Sequence, residues 1–197
     1  MDFMQIFTLI TGVVYIVLEI RQKNFMWVVG IATSLAAMWV FFRQGLYASF
    51  GLNTYYFITA FIGLWQWRRD KEQLAPGDDV IVLNRLSCKT VALSAAVVAV
   101  GTLALSSGMS SLHQAGILRE NPMSLLDSSV AVLSAVATWW LVKSYREQWM
   151  LWIVADTMSV VLCVMQGMWW MAALYLAYVA AAAYGLHYWK KHGKYVI

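Results

Sequence analysis

Charge is scarce in this chain. Asp, Glu, Lys and Arg make up 12% of its 197 residues, whereas 61% are hydrophobic. A soluble domain of this length carries about 25% charged residues, so the apolar surplus is too large for one buried core. Cysteine occurs only as Cys88, beside an expected loop, and Cys163, inside an expected helix; neither has a ligand-like neighbour, which excludes a disulfide framework. His113, His187 and His192 lie in loops or at helix ends without a partner at metal-ligand spacing. No Gly-rich loop leads into Lys and Ser/Thr, so ATP-driven transport would need another subunit. No helix pairs a nucleophile with a nearby base, so neither an enzyme nor a cofactor is expected. A retinal protein needs a Lys deep in its last helix, and Met168 to Trp189 contains none. The net charge of +4 does not point to nucleic acid, because the basic residues gather at helix ends.

What the chain has is long apolar runs. A bilayer core about 30 Å thick needs roughly 20 apolar residues per helix. Seven such spans are predicted: 3–20, 25–42, 46–67, 90–106, 124–143, 149–166 and 168–189, the fourth being the shortest. The first run starts almost at once, with no basic leader and no small-residue cleavage site, and reads as a membrane helix rather than a signal peptide. Short joints at Arg21–Asn24, Arg43–Gly45 and Gln166-Gly167 force antiparallel neighbours. A longer loop, Arg68 to Lys89, holds the turn signal Pro76-Gly77-Asp78-Asp79, and another, Ser107 to Met123, holds Gly108, Gly116 and Pro122.

Only Arg43 and Arg119 fall on one side of this arrangement; the other twelve of the 14 Lys and Arg fall on the opposite side. The positive-inside rule makes the crowded side cytoplasmic, with the N-terminus outside and the C-terminus inside.

A shift of 122 positions lays Gln44-Gly45 on Gln166-Gly167, Tyr56 on Tyr178, Gly63 on Gly185 and Trp67-Arg68-Arg69 on Trp189-Lys190-Lys191. Phe25-Met26 meets Trp149-Met150 at a shift of 124, which implies a gap of two. The expected organisation is 1–69 as a first three-helix bundle, 70–123 as cytoplasmic loop, linker helix and outer loop, and 124–197 as a second three-helix bundle with its tail. The odd linker helix gives both bundles one orientation, as in parallel-repeat transporters whose substrate lies between the repeats near the midplane.

Polar residues deep in a bilayer are costly and are the first functional candidates. Asp156 would stand about 10 Å into the sixth span at 1.5 Å per residue. Trp149, Trp152 and Asp156, at i, i+3 and i+7, share one helix face. Two indoles beside a carboxylate suit a flat cation, each contact giving roughly 0.5–2 kcal/mol; the plainer reading is an interfacial tryptophan belt with an Asp bonded between helices. Asn53 and Tyr56 on the third span, and Tyr175 and Tyr178 on the seventh, could bond a substrate or serve as polar contacts between helices. Thr33, Ser34 and Thr157 read as residues that bond helix carbonyls or let helices approach. Glu19 reads as an interfacial ion-pair partner of Arg21 and Lys23. Asp127 either attracts a cation at the outer mouth or caps its helix.

Two stretches carry a family resemblance: Gly45-Leu46-Tyr47-Ala48-Ser49 through Tyr55-Tyr56-Phe57 to Gly63-Leu64-Trp65-Gln66-Trp67, and Tyr145-Arg146-Glu147-Gln148-Trp149-Met150-Leu151-Trp152-Ile153. The second contains WxxW as Trp149 and Trp152, and Asn53 to Tyr56 reads as NxxY. Over nearly its whole length the chain resembles the PnuC family of bacterial vitamin transporters. The resemblance implies an all-α membrane fold of two parallel three-helix bundles joined by a linker helix, similar to a fused SWEET-like pair. It implies multi-pass insertion in the inner membrane and facilitated diffusion without ion or ATP coupling, followed by trapping of the vitamin by a cytoplasmic kinase. The partners are then a small vitamin, the lipid bilayer and the kinase pathway, with homo-oligomerisation left open. The family's default substrate is nicotinamide riboside, and relatives carry thiamine or riboflavin. Nicotinamide riboside members tend to have Asn where Asp156 stands and Gln where Asn53 stands. That departure raises thiamine close to the default, since a changed hydrogen-bonding set changes discrimination. Proton coupling through Asp156 or Glu19, and a non-transporting receptor or scaffold, are the competing classes.

Overall fold

The computed structural model describes residues 3–43, 47–74, 80–117 and 123–196. The expected Gln44-Gly45 joint, the Pro76-Gly77-Asp78-Asp79 turn, Arg119 and Pro122 lie outside these residues. Seven α-helices follow in order: α1 Phe3–Ile20, α2 Phe25–Arg43, α3 Tyr47–Leu74, α4 Cys88–Gln114, α5 Ser124–Val142, α6 Gln148–Met165 and α7 Trp169–His192. Four of them, α4 to α7, are long and apolar enough to cross a membrane by length and composition.

Most ends fall close to their predicted positions, and the exceptions have physical causes. Helix α3 runs on to Leu74 because the residues after Trp67 are good helix formers, with no Gly or Pro before Pro76. Helix α4 starts at Cys88 because Ser87 caps it: its backbone is extended and its Oγ accepts from the Thr90 N–H at 3.1 Å. At the other end, the Ser-rich stretch expected to be loop stays helical. The Ser111 hydroxyl donates to the Ser107 carbonyl at 2.9 Å, so its polar group is satisfied within the helix until Gly116, at φ +72°, turns the chain.

The all-α expectation holds for the seven helices and is corrected between them. β1 Ile81–Leu83 and β2 Gly193–Tyr195 form a parallel two-stranded ladder, Ile81 opposite Gly193, Val82 opposite Lys194 and Leu83 opposite Tyr195. A Cβ at Gly193 would lie 2.3 Å from a Leu83 methyl carbon and 2.6 Å from the Trp189 carbonyl oxygen, so only glycine admits this approach.

The chain divides into two compact units: residues 1–84 with 141–146 and 187–197, and residues 85–140 with 147–186. The first unit is organised around Gln22, which is wholly buried. Helix α1 ends in a Schellman turn, with Gln22 N–H donating to Glu19 O at 2.9 Å and Lys23 N–H to Leu18 O at 2.9 Å. That turn puts Gln22 at φ +48°, where glycine is the usual residue. The side chain explains the choice. Its Oε1 accepts from the Val82 N–H at 2.6 Å, and its Nε2 donates to the Val82 carbonyl at 2.9 Å, so the amide acts as one more strand beside β1. The same Nε2 donates to Ser144 Oγ at 3.3 Å. Ser144 is the other non-glycine residue at positive φ among the described residues, at +55°, and it stands 122 positions after Gln22.

The internal repeat is therefore closer than the sequence alone showed. In the first unit a Cβ on Gly63 would lie 2.5 Å from the Trp27 ring; in the second, a Cβ on Gly185 would lie 2.7 Å from the Trp149 ring. Trp27 and Trp149 are also 122 apart, so the gap of two inferred from Phe25-Met26 is unnecessary. In the first unit the indole N–H of Trp67 donates to the Leu141 carbonyl at 3.1 Å, and that of Trp189 to the Ile20 carbonyl at 2.9 Å. Each of these repeat-related tryptophans thus satisfies a carbonyl near the end of the other repeat's first helix. A buried polar cluster extends the same region. Asn84 Nδ2 donates to Asp70 Oδ2 at 3.1 Å and to the Lys143 carbonyl at 3.0 Å, and Gln66 Nε2 donates to Asp70 at 2.9 Å.

Replacing Gln22 by Ala leaves the Val82 N–H and carbonyl without their partner, at a cost of about 2–4 kcal/mol. Thermal unfolding of the detergent-solubilised protein should show Gln22→Ala well below wild type. Gln22→Gly, which relieves the positive φ but not the lost bonds, should remain below wild type as well. A Gln22→Gly protein at least as stable as wild type would show that the amide bonds do not outweigh the cost of the positive φ.

Candidate functional site

Helix α6 presents one continuous face bearing Trp149, Trp152, Asp156, Ser159 and Cys163, spaced so that each lies three or four residues from the next. Trp149, Asp156, Ser159 and Cys163 are buried, and Trp152 is half-buried. The ring of Trp149 lies over Gly185 of α7 and is 1% exposed. One turn on, the Trp152 indole N–H is buried and has no hydrogen-bond partner among the described residues. A further turn on is Asp156, 8% exposed and likewise without a hydrogen bond or ion pair among the described residues. A buried donor left unmade costs about 1–3 kcal/mol, and an uncompensated carboxylate costs more. Two such groups at i and i+4 on one face form an incomplete polar set: one donor and one acid.

Helix α7 brings aromatic hydroxyls to the same carboxylate. The Tyr175 and Tyr178 rings are 6.1 Å apart and nearly perpendicular, and Asp156 is an electrostatic neighbour of both hydroxyls. A cavity of about 680 Å³ is lined from α5, α6 and α7, by Met123 and Asp127 of α5 and its lead-in, Ser159 and Cys163 of α6, and Met171 and Tyr175 of α7 among others. Its volume suits a small molecule. Asp156 stands one turn from Ser159, which lines the cavity. Asp127, in the first turn of α5, is exposed and lines the cavity's wall.

The second unit therefore brings together Trp152, Asp156, Tyr175 and Tyr178, with Trp149 behind them against Gly185. Asn53 and Tyr56 belong to the first unit, where both are half-buried on α3. There Tyr56 lies against Tyr55, ring centroids 5.6 Å apart, and is an electrostatic neighbour of Tyr15. Thr33 and Thr157 bond carbonyls of their own helices, Val29 O at 2.9 Å and Ile153 O at 2.6 Å, as their small polar side chains suggested. Glu19, read as an interfacial residue, is buried. Sequence reasoning missed Ser159, Cys163 and the methionines of the cavity. Extending the i, i+3, i+7 pattern of Trp149, Trp152 and Asp156 by another turn would have found Ser159.

Comparison with known proteins gives a consistent picture. The family described as "Nicotinamide mononucleotide transporter" matches residues 2–191. The nicotinamide riboside transporter PnuC of Escherichia coli K12 is 25% identical over 168 residues, covering 76% of this chain and 69% of that protein. The protein of the same name from Haemophilus influenzae is 25% identical over 183 residues, covering 92% and 76%. A crystal structure of the vitamin B3 transporter PnuC superposes with a TM-score of 0.65 at 26% identity, covering 93% of this chain and 78% of that one.

An Asp156→Asn variant keeps the shape of the site and removes the uncompensated charge. The empty protein should then gain roughly 1–2 kcal/mol, seen as a thermal midpoint raised by about 2–6 °C. A midpoint at or below that of wild type would mean that the carboxylate is not held at a cost.

Proposed function

We propose, from the premise that this chain belongs to the nicotinamide mononucleotide transporter family, that it carries nicotinamide riboside across the bacterial inner membrane by facilitated diffusion. The chain is a multi-pass membrane transporter and not an enzyme. Transport class and substrate rest on the family match and on relatives named for nicotinamide riboside. The observation that carries the site is the buried Trp152 N–H, without a hydrogen-bond partner among the described residues, one turn from the buried Asp156 carboxylate on α6. Nicotinamide riboside is a flat cationic ring bearing an amide. Its charge would neutralise Asp156, its amide oxygen would accept from Trp152, and the rings of Tyr175 and Tyr178 would supply aromatic surface. Trp149 supports this face against Gly185, and Asn53 and Tyr56 are proposed as substrate-bonding residues of the first unit.

In this reading the chain has a 3+1+3 arrangement, with residues 1–69 and 124–197 as the two three-helix bundles and 70–123 carrying the linker helix. The excess of Lys and Arg on one side supports a cytoplasmic C-terminus. A cytoplasmic kinase traps the vitamin by adding a charge that the carrier does not accept, so net uptake needs no ion or ATP coupling. The second reading is thiamine, favoured by one feature: a carboxylate at 156 in place of the Asn that the family resemblance leads one to expect of nicotinamide riboside members.

Calorimetry on the purified protein with nicotinamide riboside, thiamine and riboflavin in parallel separates these readings. Nicotinamide riboside should bind tightly, and Asp156→Asn should weaken it about tenfold, equivalent to about 1.4 kcal/mol. Tight thiamine binding alone would select the second reading, and silence from all three with a folded sample would remove the vitamin assignment. In proteoliposomes the bound vitamin should exchange in both directions, and the flux should survive a protonophore. Loss of flux on collapsing the proton gradient would replace facilitated diffusion with proton coupling.

A further inference from the structure

Resting on the transport reading above, we infer that the linker helix α4 is mechanically part of the second repeat and stays fixed to α5 while the carrier changes conformation. The two repeats are then unequal bodies, and the second has four helices instead of three.

Helix α4 has one inward stripe. Between Val91 and Gln114 every residue is exposed except Ser94, Val98, Gly101, Thr102, Ser106 and Met109. Each of these lies one, three or four residues from the next, so they form one line along the helix. A helix packed against neighbours on several sides would be covered more widely. The contacts of the stripe run to α5. Near its start, Ser94 Oγ accepts from the Trp140 indole N–H at 3.0 Å. In the middle, a Cβ on Gly101 would stand 3.2 Å from Val132 Cγ1, so the missing side chain lets the two helices approach. Further on, the Ser106 and Ser124 hydroxyls share a hydrogen bond at 3.2 Å, and the Ser128 hydroxyl donates to the Met109 sulfur at 3.7 Å.

From Ser94 to Ser106 the partners on α5 fall from Trp140 to Ser124, the order of an antiparallel pair. At 1.5 Å per residue the seam from Ser94 to Met109 runs about 22 Å, most of a bilayer core about 30 Å thick. In lipid, two helices gain nothing from hydrophobic exclusion, so close packing and hydrogen bonds decide which pairs hold. Parting α4 from α5 would strip the Trp140 N–H and two serine hydroxyls of their partners and open a gap at Gly101. The other sides of α4 carry exposed apolar residues such as Leu93, Val100 and Leu103, which lipid satisfies and which tie the helix to nothing. The second compact unit likewise begins at Arg85, ahead of α4, and not at Ser124.

A covalent lock across the seam tests this. The Ser106 and Ser124 side chains already meet, which suits a disulfide between Ser106→Cys and Ser124→Cys. Cys88→Ser in the same protein removes the exposed native thiol. In proteoliposomes, with the link confirmed by peptide mass spectrometry, the oxidised protein should exchange nicotinamide riboside within about threefold of its reduced form. A larger loss on oxidation that reduction restores overturns the inference. A second measurement covers a locked variant that fails to fold and does not depend on the vitamin. Spin labels introduced through Leu103→Cys and Leu125→Cys, both exposed positions, report the α4–α5 distance in nanodiscs, with the Cys88→Ser protein alone as background. One narrow distance population in the empty protein, unchanged by nicotinamide riboside, supports a fixed α4. Two populations, or a shift when the vitamin is added, overturn it. Absence of flux from the wild type itself would count against the transport reading, while the distance in the empty protein still decides whether α4 is fixed to α5.

Discussion

Backbone leaving a helix at a membrane edge has polar groups that water cannot fully serve and lipid cannot serve at all. In the first unit that demand converges on one side chain, the amide of Gln22. It completes the edge of β1 through both the N–H and the carbonyl of Val82, and it reaches Ser144 in the joint between α5 and α6. Its own carbonyl accepts from Lys71 of α3. Four chain segments thus meet at one residue, held at a backbone angle that glycine would adopt more cheaply. The angle is tolerated because the bonds outweigh it: αL costs a non-glycine residue roughly 1–2 kcal/mol, and three buried bonds at about 1 kcal/mol each exceed that.

The repeat gives this knot its form. Gln22 and Ser144 are related by the same 122-residue shift that relates Trp27 to Trp149, Gly63 to Gly185 and Trp67 to Trp189. Residues at equivalent places do equivalent work. Gly63 and Gly185 exist to admit an indole ring, and any Cβ there would overlap it by more than a side chain can yield. Trp67 and Trp189 each donate to a carbonyl from the opposite repeat. Where the two copies meet their own images, at Gln22 and Ser144, the side chains have diverged into a donor and an acceptor, as two residues sharing one hydrogen bond must.

The seven helices were legible because apolar runs of membrane length leave little choice of structure. The end of α3 was not, because its last turns are polar and follow helix propensity, a weaker signal than hydropathy. The start of α4 was written in Ser87 and Thr90, a cap that the search for apolar residues passed over. The ladder could not be read: β1 and β2 are three residues each and more than a hundred apart, and parallel pairing leaves no turn between them to announce it. The candidate site was half legible. The face shared by Trp152 and Asp156 follows from helical spacing alone. That Trp149 lies against Gly185 depends on packing, and the Gly63–Trp27 pair that would have revealed it was hidden by a misplaced gap.

The buried Trp152 N–H and Asp156 carboxylate on α6 bear on how the proposed passive carrier would work. A facilitator must change conformation both loaded and empty, so very tight binding would slow release and very poor binding would leave the site unoccupied. A carboxylate and an indole N–H left unsatisfied raise the energy of the empty site. A ligand that satisfies both groups relieves that strain, and the relief adds to its affinity. Selectivity follows from the same two groups. A molecule that cannot neutralise Asp156 and accept from Trp152 leaves both groups buried and unmatched, and discrimination against such a molecule is sharper than shape alone provides.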